Sequence, residues 1–399
     1  MKSMKKSFSE RFTVNTGHLR KYIYEMIATI PHMVRDMRYE AKKRCDTFLV
    51  LIIIILLTTG VVMIRSASMY ETALSGGNNN YAASQAVYAL SGLVVMYAVS
   101  LVNYRYYKKY AGFLMFVMFV FLTMVFLGFG TTYMGANRGL SIGPVSFMPV
   151  EPTKIAVLLF MAHIFDKHLD KVHTLKMFIC VFSFCAVLAL LIVEQPALSS
   201  GIIVAGLIIG MFFMAGARLR YIFLIVISAV FAVGIFIISA PWRLERFFAF
   251  LDPFADLHGD GWQPAQSLMA LGSGGIFGQG IGNGVAKLSY LPESQNDYIF
   301  SIIGEELGLV GCIFVITAFM LLIVRLMKTA FSAKDMFGRM ISSGMAVLIG
   351  IQVFLNLMVV TNSMPSTGVS LPFISYGGSS LITLLMGMGI VLNVTRNIR

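Results

Sequence analysis

Four carboxylates, Glu293, Asp297, Glu305 and Glu306, fall within fourteen positions of a chain in which only 13% of residues are charged. They follow glycines at 272, 274, 275, 278, 280, 282 and 284 and a single lysine, Lys287. The stretch from Gln263 to Gly308 that holds them is the longest break between apolar segments. Glycine permits tight turns and close approach of backbone amides to a ligand. A nest of such amides can hold phosphate oxygens, which makes Gly278 and Gly280 candidate contacts, with Lys287 as a neighbouring cation. A re-entrant loop between helices accounts for the same glycines equally well. Asp297 lies where the polar loop meets Tyr298, Ile299 and Phe300. Partial desolvation there would make its carboxylate a better proton acceptor, which suits a general base acting on a hydroxyl. The competing reading is a carboxylate at a helix N-terminus, favoured by the helix dipole. If 293–306 is helical, Glu293 and Asp297 lie one turn apart, with Glu305 and Glu306 two turns further on.

Two more cations sit in polar positions, Arg138 in GANRGLSIGPVSFMP and Lys154 in VEPTK. Either could hold a phosphate. Glu151, three residues before Lys154, offers an internal ion pair instead. Ionisable groups within a membrane frame usually mark a pathway or a site, and Glu194 joins the group on that ground. His163, His168 and His173 have no spacing that makes them metal ligands. Cys180 and Cys185 are too far apart along a helix to bridge; with Cys45 and Cys312 they read as packing residues.

The elements that must position these groups are apolar. Hydrophobic residues make up 57% of the 399, and mean hydropathy is +0.80. A soluble domain carries ~45–50% apolar residues and about twice this charge. LVLIIIILLTTGVVMI (49–64) approaches the length that crosses a ~30 Å hydrocarbon core. The spacing predicts an all-α polytopic membrane protein with ten transmembrane helices, near 47–66, 84–103, 110–130, 150–167, 175–194, 197–216, 220–240, 298–325, 340–361 and 376–395. QPAQSLMAL is expected to form a short interfacial helix of two turns or so.

Net charge is +12, and 11 of the 31 Lys and Arg precede residue 47. No nucleic-acid motif accompanies them, so residues 1–46 read as a basic cytoplasmic tail beside anionic lipid. Cations in later connections alternate in the same sense: Arg105, Lys108 and Lys109, then Lys167, Lys171 and Lys176, Arg218 and Arg220, Arg325, Lys328, Lys334 and Arg339, and Arg396 and Arg399 share the tail's side, while the other connections carry only Arg138 and, in the largest loop, Arg243, Arg246 and Lys287. Both termini are therefore expected in the cytoplasm, with a large outer loop, 241–297, between spans 7 and 8. Residues 47–399 read as one membrane domain, and no segment is soluble enough to be a second enzyme domain.

Three motifs in order carry a resemblance: GSGGIFGQGIGNGVAKLSY, LPESQNDYIFSIIGEELGLVG and MPSTGVSLPFISYGGSSLI (364–382). With the span count, they resemble the SEDS family of shape, elongation, division and sporulation proteins, over residues 47 to the C-terminus. The resemblance implies a peptidoglycan glycosyltransferase of the bacterial plasma membrane that polymerises lipid II on the outer face. It implies a catalytic role for Asp297, pyrophosphate contacts from Arg138 and Lys154, and substrate-side roles for Glu293 and Glu306. It also implies a class B penicillin-binding protein as the crosslinking partner, other division or sporulation proteins as neighbours, and a possible divalent cation, Mg or Mn. VVTN before Met364 is similar to FtsW and SpoVE, which favours division or sporulation over elongation.

The chain departs from the family pattern at Gly139, Met148 and Val150, at Ala197 where an acidic residue is usual, and at Asn296-Asp297-Tyr298. These substitutions leave room for a weakened enzyme, so a scaffold within a division complex stands as an alternative. A lipid II flippase is the other. It calls for discontinuous helices at matching places in two halves, and the sequence shows no such halves.

Overall fold

The computed structural model describes residues 36–398 apart from 38, 42, 75, 77–79, 134–135, 143–144, 194–197, 239–240, 258, 260, 289 and 293. Most of the basic tail, Glu194, Glu293 and Ala197 thus lie outside the described residues, as do the side chains of Arg138, Cys180, Cys185, Arg243 and Arg246.

The chain forms α1 (Thr47–Ala67), the short α2 (Met69–Leu74), α3 (Tyr81–Ser100) and α4 (Tyr104–Met124), which ends in a π-turn at Val125–Phe129. Three strands follow, β1 (Thr131–Tyr133), β2 (Ala136–Ile142) and β3 (Val145–Phe147), then α5 (Val150–Lys167), α6 (Leu175–Val193), α7 (Leu198–Met214) and α8 (Leu219–Ile238). The large loop carries α9 (Pro241–Leu251) and α10 (Trp262–Ser273), and α11 (Ile299–Ser332), α12 (Met336–Val360) and α13 (Gly378–Ile398) close the chain. Helices thus occupy every stretch where a span is expected. Among the described residues six of them, α1, α3, α4 with its extension, α11, α12 and α13, are long and apolar enough to cross a membrane.

Polar caps decide where the helices start. Asn80 accepts from the Ala83 amide at 3.0 Å and begins α3 at Tyr81, three residues before the expected start. Asn103 accepts from the Arg105 amide at 3.1 Å and begins α4 at Tyr104, six residues before its expected start. Asp46 and Asp335 cap α1 and α12, accepting from the amides of Leu49 at 3.2 Å and Gly338 at 2.9 Å. Each cap satisfies one of the amides that a helix start leaves open. Asp46 also takes Arg325 Nε at 2.5 Å, and Asp335 takes the Tyr104 hydroxyl at 2.8 Å and Arg105 Nε at 3.2 Å. Lys108 pairs with Asp166. At the same end the buried Arg396 donates to the Glu40 carbonyl at 2.7 Å. These staples join six helices, α1, α4, α5, α11, α12 and α13, and the last part of the tail at one end of the bundle, here the tail end.

Three expectations are corrected. The segment around Arg138 is an antiparallel sheet in the order β1-β2-β3, with Thr132 opposite Asn137 and Ser141 opposite Ser146. Val145-Ser146-Phe147 of β3 alternates in the way that suits a pleated surface, and Phe147 anchors the sheet edge-on to Phe121 of α4 at 5.8 Å. α10 has twelve residues and does not lie free at an interface. Ala265 and Ser267 are fully buried, and Ser267 Oγ donates to the Val360 carbonyl at 2.7 Å and shares a 2.7 Å bond with Ser301 Oγ. Residues 294–298, just before Ile299, form turns rather than helix, so the expected helix over 293–306 starts at Ile299; Glu293 lies outside the described residues.

α3 and α13 pack along one another more extensively than any other pair, and α11 packs on both α1 and α12. The α3–α13 approach depends on Gly389, where an added Cβ would lie 2.5 Å from the Met96 carbonyl oxygen. Gly112 on α4 is the contrast, an exposed position with nothing within 4 Å of an added Cβ. Overpacking of this kind costs about 1–3 kcal/mol. Gly389→Val should therefore lower the thermal unfolding midpoint of the detergent-solubilised protein by several degrees, and Gly112→Val should leave it unchanged; equal effects at the two sites would contradict this packing.

Candidate active site

α11 is broken near its start. Gly308 has φ 66° and ψ −164°, which separates Ile299–Leu307 from the rest of the helix. A break frees amides and carbonyls that apolar surroundings cannot satisfy. The glycine-rich loop supplies the partners. The amides of Leu309 and Val310 donate to the carbonyls of Gly275 and Ile276 at 3.0 and 3.2 Å. In return the amides of Gln279 and Gly280 donate to the carbonyls of Glu305 and Glu306, both at 3.0 Å. Gly278, with φ +79°, passes so close that a Cβ would collide with the Glu306 carbonyl.

This pairing corrects the phosphate expectation for Gly278 and Gly280. The Gly278 amide donates within its own turn to the Gly274 carbonyl at 2.8 Å, and the Gly280 amide is held by Glu306. Further along the loop an anion is already in place, and it is Glu305. Its carboxylate accepts from the amides of Val285 at 2.7 Å and Ala286 at 3.1 Å. The glycines therefore serve close backbone docking onto the broken helix.

Lys287 and Glu306 are also spent on one another. Their side chains are 1% and 0% exposed, and Nζ lies 2.5 Å from Oε1. Ser66 of α1 completes the group, donating to Glu306 Oε1 and Oε2 at 2.6 and 2.8 Å and accepting from Lys287 Nζ at 3.0 Å. A buried carboxylate neutralises this lysine, so its role in the structure is to hold the loop to α1 and α11. Lys154 pairs with Glu151 at 2.7 Å, the internal pair that the spacing allowed. Arg138 lies in β2, and its side chain is outside the described residues.

Asp297 stands apart from these pairs, two residues before the first turn of α11. It is held from behind. Asn356 of α12, fully buried, donates from one nitrogen to the Asp297 carbonyl at 2.8 Å and to the Val369 carbonyl at 2.7 Å. Ser375 Oγ donates to the Asn296 carbonyl at 2.6 Å and accepts from the Leu371 amide at 2.7 Å, and the Tyr376 amide donates to the Gln295 carbonyl at 3.0 Å. The third motif, 364–382, is thus the wall that fixes residues 295–297. Gly368 has φ +70°, and an added Cβ would be 3.2 Å from Asp297 Oδ2. Gly368 thus lies close against the carboxylate, and Asp297 itself is partly exposed. This is a positioned, partly exposed carboxylate at the end of the bundle opposite the tail.

The chain matches the family model described as "Cell cycle protein", for FtsW, RodA and SpoVE, over residues 46–399. The chain belongs to the FtsW/RodA/SpoVE family. It is 37% identical over 360 residues to the probable peptidoglycan glycosyltransferase FtsW of Geobacter sulfurreducens, covering 90% of this chain and 96% of that protein. It is 36% identical over 355 residues to stage V sporulation protein E of Bacillus subtilis, covering 88% and 97%. Among solved structures it resembles a chain of a peptidoglycan synthase complex that coordinates polymerization and crosslinking, with TM-score 0.71, 26% identity and coverage of 89% and 98%. The rod shape determining protein RodA of Thermus thermophilus gives TM-score 0.64 at 26% identity, covering 89% and 97%. The fold is that of a multi-pass membrane protein, and its basic tail lies outside the matched region.

Sequence reasoning noted the third motif without assigning its residues, and it missed Ser66, Asn356 and Gly368. A lone asparagine in the apolar run VFLNLMVV was the available signal for Asn356, since buried polar groups in such helices are held for a reason. Gly368 carried no signal beyond being a glycine. The ion pair yields a direct test. Lys287→Met or Glu306→Gln alone should destabilise by about 3–5 kcal/mol, because each leaves a buried charge or donor unmatched. The double variant Lys287→Met/Glu306→Leu should recover most of that loss in thermal unfolding of the solubilised protein. Additive losses in the double variant would show that the two residues do not act as a pair.

Proposed function

We propose that this chain is a peptidoglycan glycosyltransferase that polymerises lipid II, the undecaprenyl-pyrophosphate-linked disaccharide-pentapeptide, with Asp297 as general base. The placement of Asp297 carries the reading: its backbone is fixed by Asn356, its side chain is partly exposed, and only a glycine, Gly368, lies against its carboxylate. Family membership and the names of its FtsW and SpoVE relatives supply the reaction class, and they favour division or sporulation as the process served. The staples and basic loops at the tail end support a cytoplasmic location for both termini by the positive-inside rule. Asp297, at the opposite end, then works at the outer face of the bacterial plasma membrane, and the ten helices are ten crossings.

In the reaction a sugar 4-hydroxyl attacks the anomeric carbon of a lipid-linked donor. The new C–O bond forms with inversion as the bond to pyrophosphate breaks, and undecaprenyl pyrophosphate departs with the electron pair. Asp297 accepts the hydroxyl proton, the step for which a held carboxylate is suited. Charge growing on the leaving pyrophosphate needs cations or amide donors. Arg138 is the proposed cation, with Lys154 beside Glu151 as a second contact and Glu293 as a polar contact in the loop of Asp297. Lys287, Glu306, Gly278 and Gly280 are dropped from the substrate contacts because each is consumed inside the protein. Among the described residues no three His, Cys, Asp or Glu side chains group to hold a metal. A divalent cation, Mg or Mn, is proposed to ride on the substrate's pyrophosphate, since Mg is commonly held by phosphate oxygens and water. The transpeptidase that crosslinks the glycan is a partner protein, a class B penicillin-binding protein.

The test is polymerisation of purified lipid II by the purified protein, alone and with its cognate penicillin-binding protein. Asp297→Asn should fold normally and lose about 10²–10⁴-fold in turnover. Gly368→Ala should also lose most activity, since it strains a positive φ and crowds the carboxylate. Product that persists in Asp297→Asn keeps the enzyme and removes this base; no product from the folded, partnered wild type would favour the scaffold role.

A further inference from the structure

Three tyrosines meet beside the loop that carries Asp297. Tyr81 is the first residue of α3, Tyr88 lies two turns on, and Tyr376 precedes α13. The rings of Tyr81 and Tyr376 meet edge to face, with centroids 5.1 Å apart and planes at 87°. Those of Tyr88 and Tyr376 are tilted by 52° at 6.3 Å. All three are partly exposed. The ring of Tyr88 lies over the start of α13, where three of its carbons are 3.0 Å from the Cβ position of Gly378, so a glycine is needed beneath it.

The backbone under Tyr376 is clamped at three consecutive residues. Gln85 of α3, almost fully buried, donates from Nε2 to the Ser375 carbonyl at 3.2 Å and accepts from the Gly377 amide at 3.3 Å. The Tyr376 amide donates to the Gln295 carbonyl at 3.0 Å. Gln295 in turn donates to Glu71 at 3.1 Å. Gln295 is two residues, about 7 Å of chain at most, from Asp297, so the segment that Tyr376 holds leads directly to that carboxylate. Tyrosines of an interfacial belt contact lipid and water. These are instead fixed against one another and against the strand that leads to the base.

We propose that Tyr81, Tyr88 and Tyr376 form a saccharide platform that stacks on the sugar whose hydroxyl Asp297 deprotonates. The inference rests on the glycosyltransferase reading and adds the subsite that orients the sugar. An aromatic face carries partial negative charge, and the C–H bonds on one face of a pyranose present partial positive charge to it. Glu71, partly exposed and held by the buried Gln295, brings a polar group alongside, the pairing of apolar face and directed polar contact that a small-ligand site uses. A lipid chain needs neither the polar groups nor a clamped ring.

The test measures binding of lipid II, and of undecaprenyl pyrophosphate that lacks the sugars, to the Asp297→Asn protein in nanodiscs. Tyr81→Leu and Tyr376→Leu should each weaken lipid II binding roughly five- to tenfold, the range of one aromatic contact. Tyr81→Phe and Tyr376→Phe should stay within about twofold, and undecaprenyl pyrophosphate binding should not change. In the active protein the Leu variants should raise KM more than they lower kcat. Lipid II binding unchanged in the Leu variants would overturn the platform, and so would an equal loss of undecaprenyl pyrophosphate. If wild type binds lipid II through these rings yet forms no glycan, the glycosyltransferase reading fails while the sugar platform stands.

Discussion

A helix that breaks in apolar surroundings must find hydrogen-bond partners for every backbone group it frees. The break at Gly308 is that constraint here, and the glycine-rich loop exists in its observed form because it answers it. Carbonyls at 275 and 276 and amides at 279 and 280 pair with the two sides of the break. Glu305 and Glu306 then turn their carboxylates on the same loop, one to the amides of Val285 and Ala286 and one to Lys287. The acidic pair therefore works as part of the docking, and the loop that carries Asp297 starts from a fixed base.

The far end of that loop is fixed by a different set of contacts. The segment from Gly368 to Gly377 lines residues 295–297 through Asn356, Ser375 and the Tyr376 amide. Two of the three sequence motifs are thus brackets around the third. Asp297 lies between them and is partly exposed, whereas Glu305 and Glu306, eight and nine residues on, are buried in the docking of the loop.

Much of the fold was legible because apolar length and charge alternation are properties of single segments. The helices appear where they were expected, and the shifts at α3 and α4 follow from caps one residue outside each helix. The candidate site was legible only in part. Asp297 stood out as a candidate by type and position, whereas Lys287 and the glycines looked like phosphate contacts and Glu306 like a substrate-side carboxylate, because composition cannot tell a cation facing solvent from one facing a carboxylate 19 residues away in sequence. Ser66 and Asn356 meet their partners 240 and 59 positions away. A pattern of neighbours cannot report such contacts. The sheet around Arg138 escaped notice because its strands are short and sit between two apolar helices.

Asn356 sets a length as well as a bond. One nitrogen reaches the carbonyls of both Asp297 and Val369, so the gap between the carboxylate's backbone and its wall is the span of a single primary amide. Aspartate has the same shape and no donor there, serine has one donor for two acceptors, and glutamine is a methylene too long. Asn356 thus behaves as a spacer of fixed size, and the tolerance of this site to change is governed by a side chain near the end of an apolar helix.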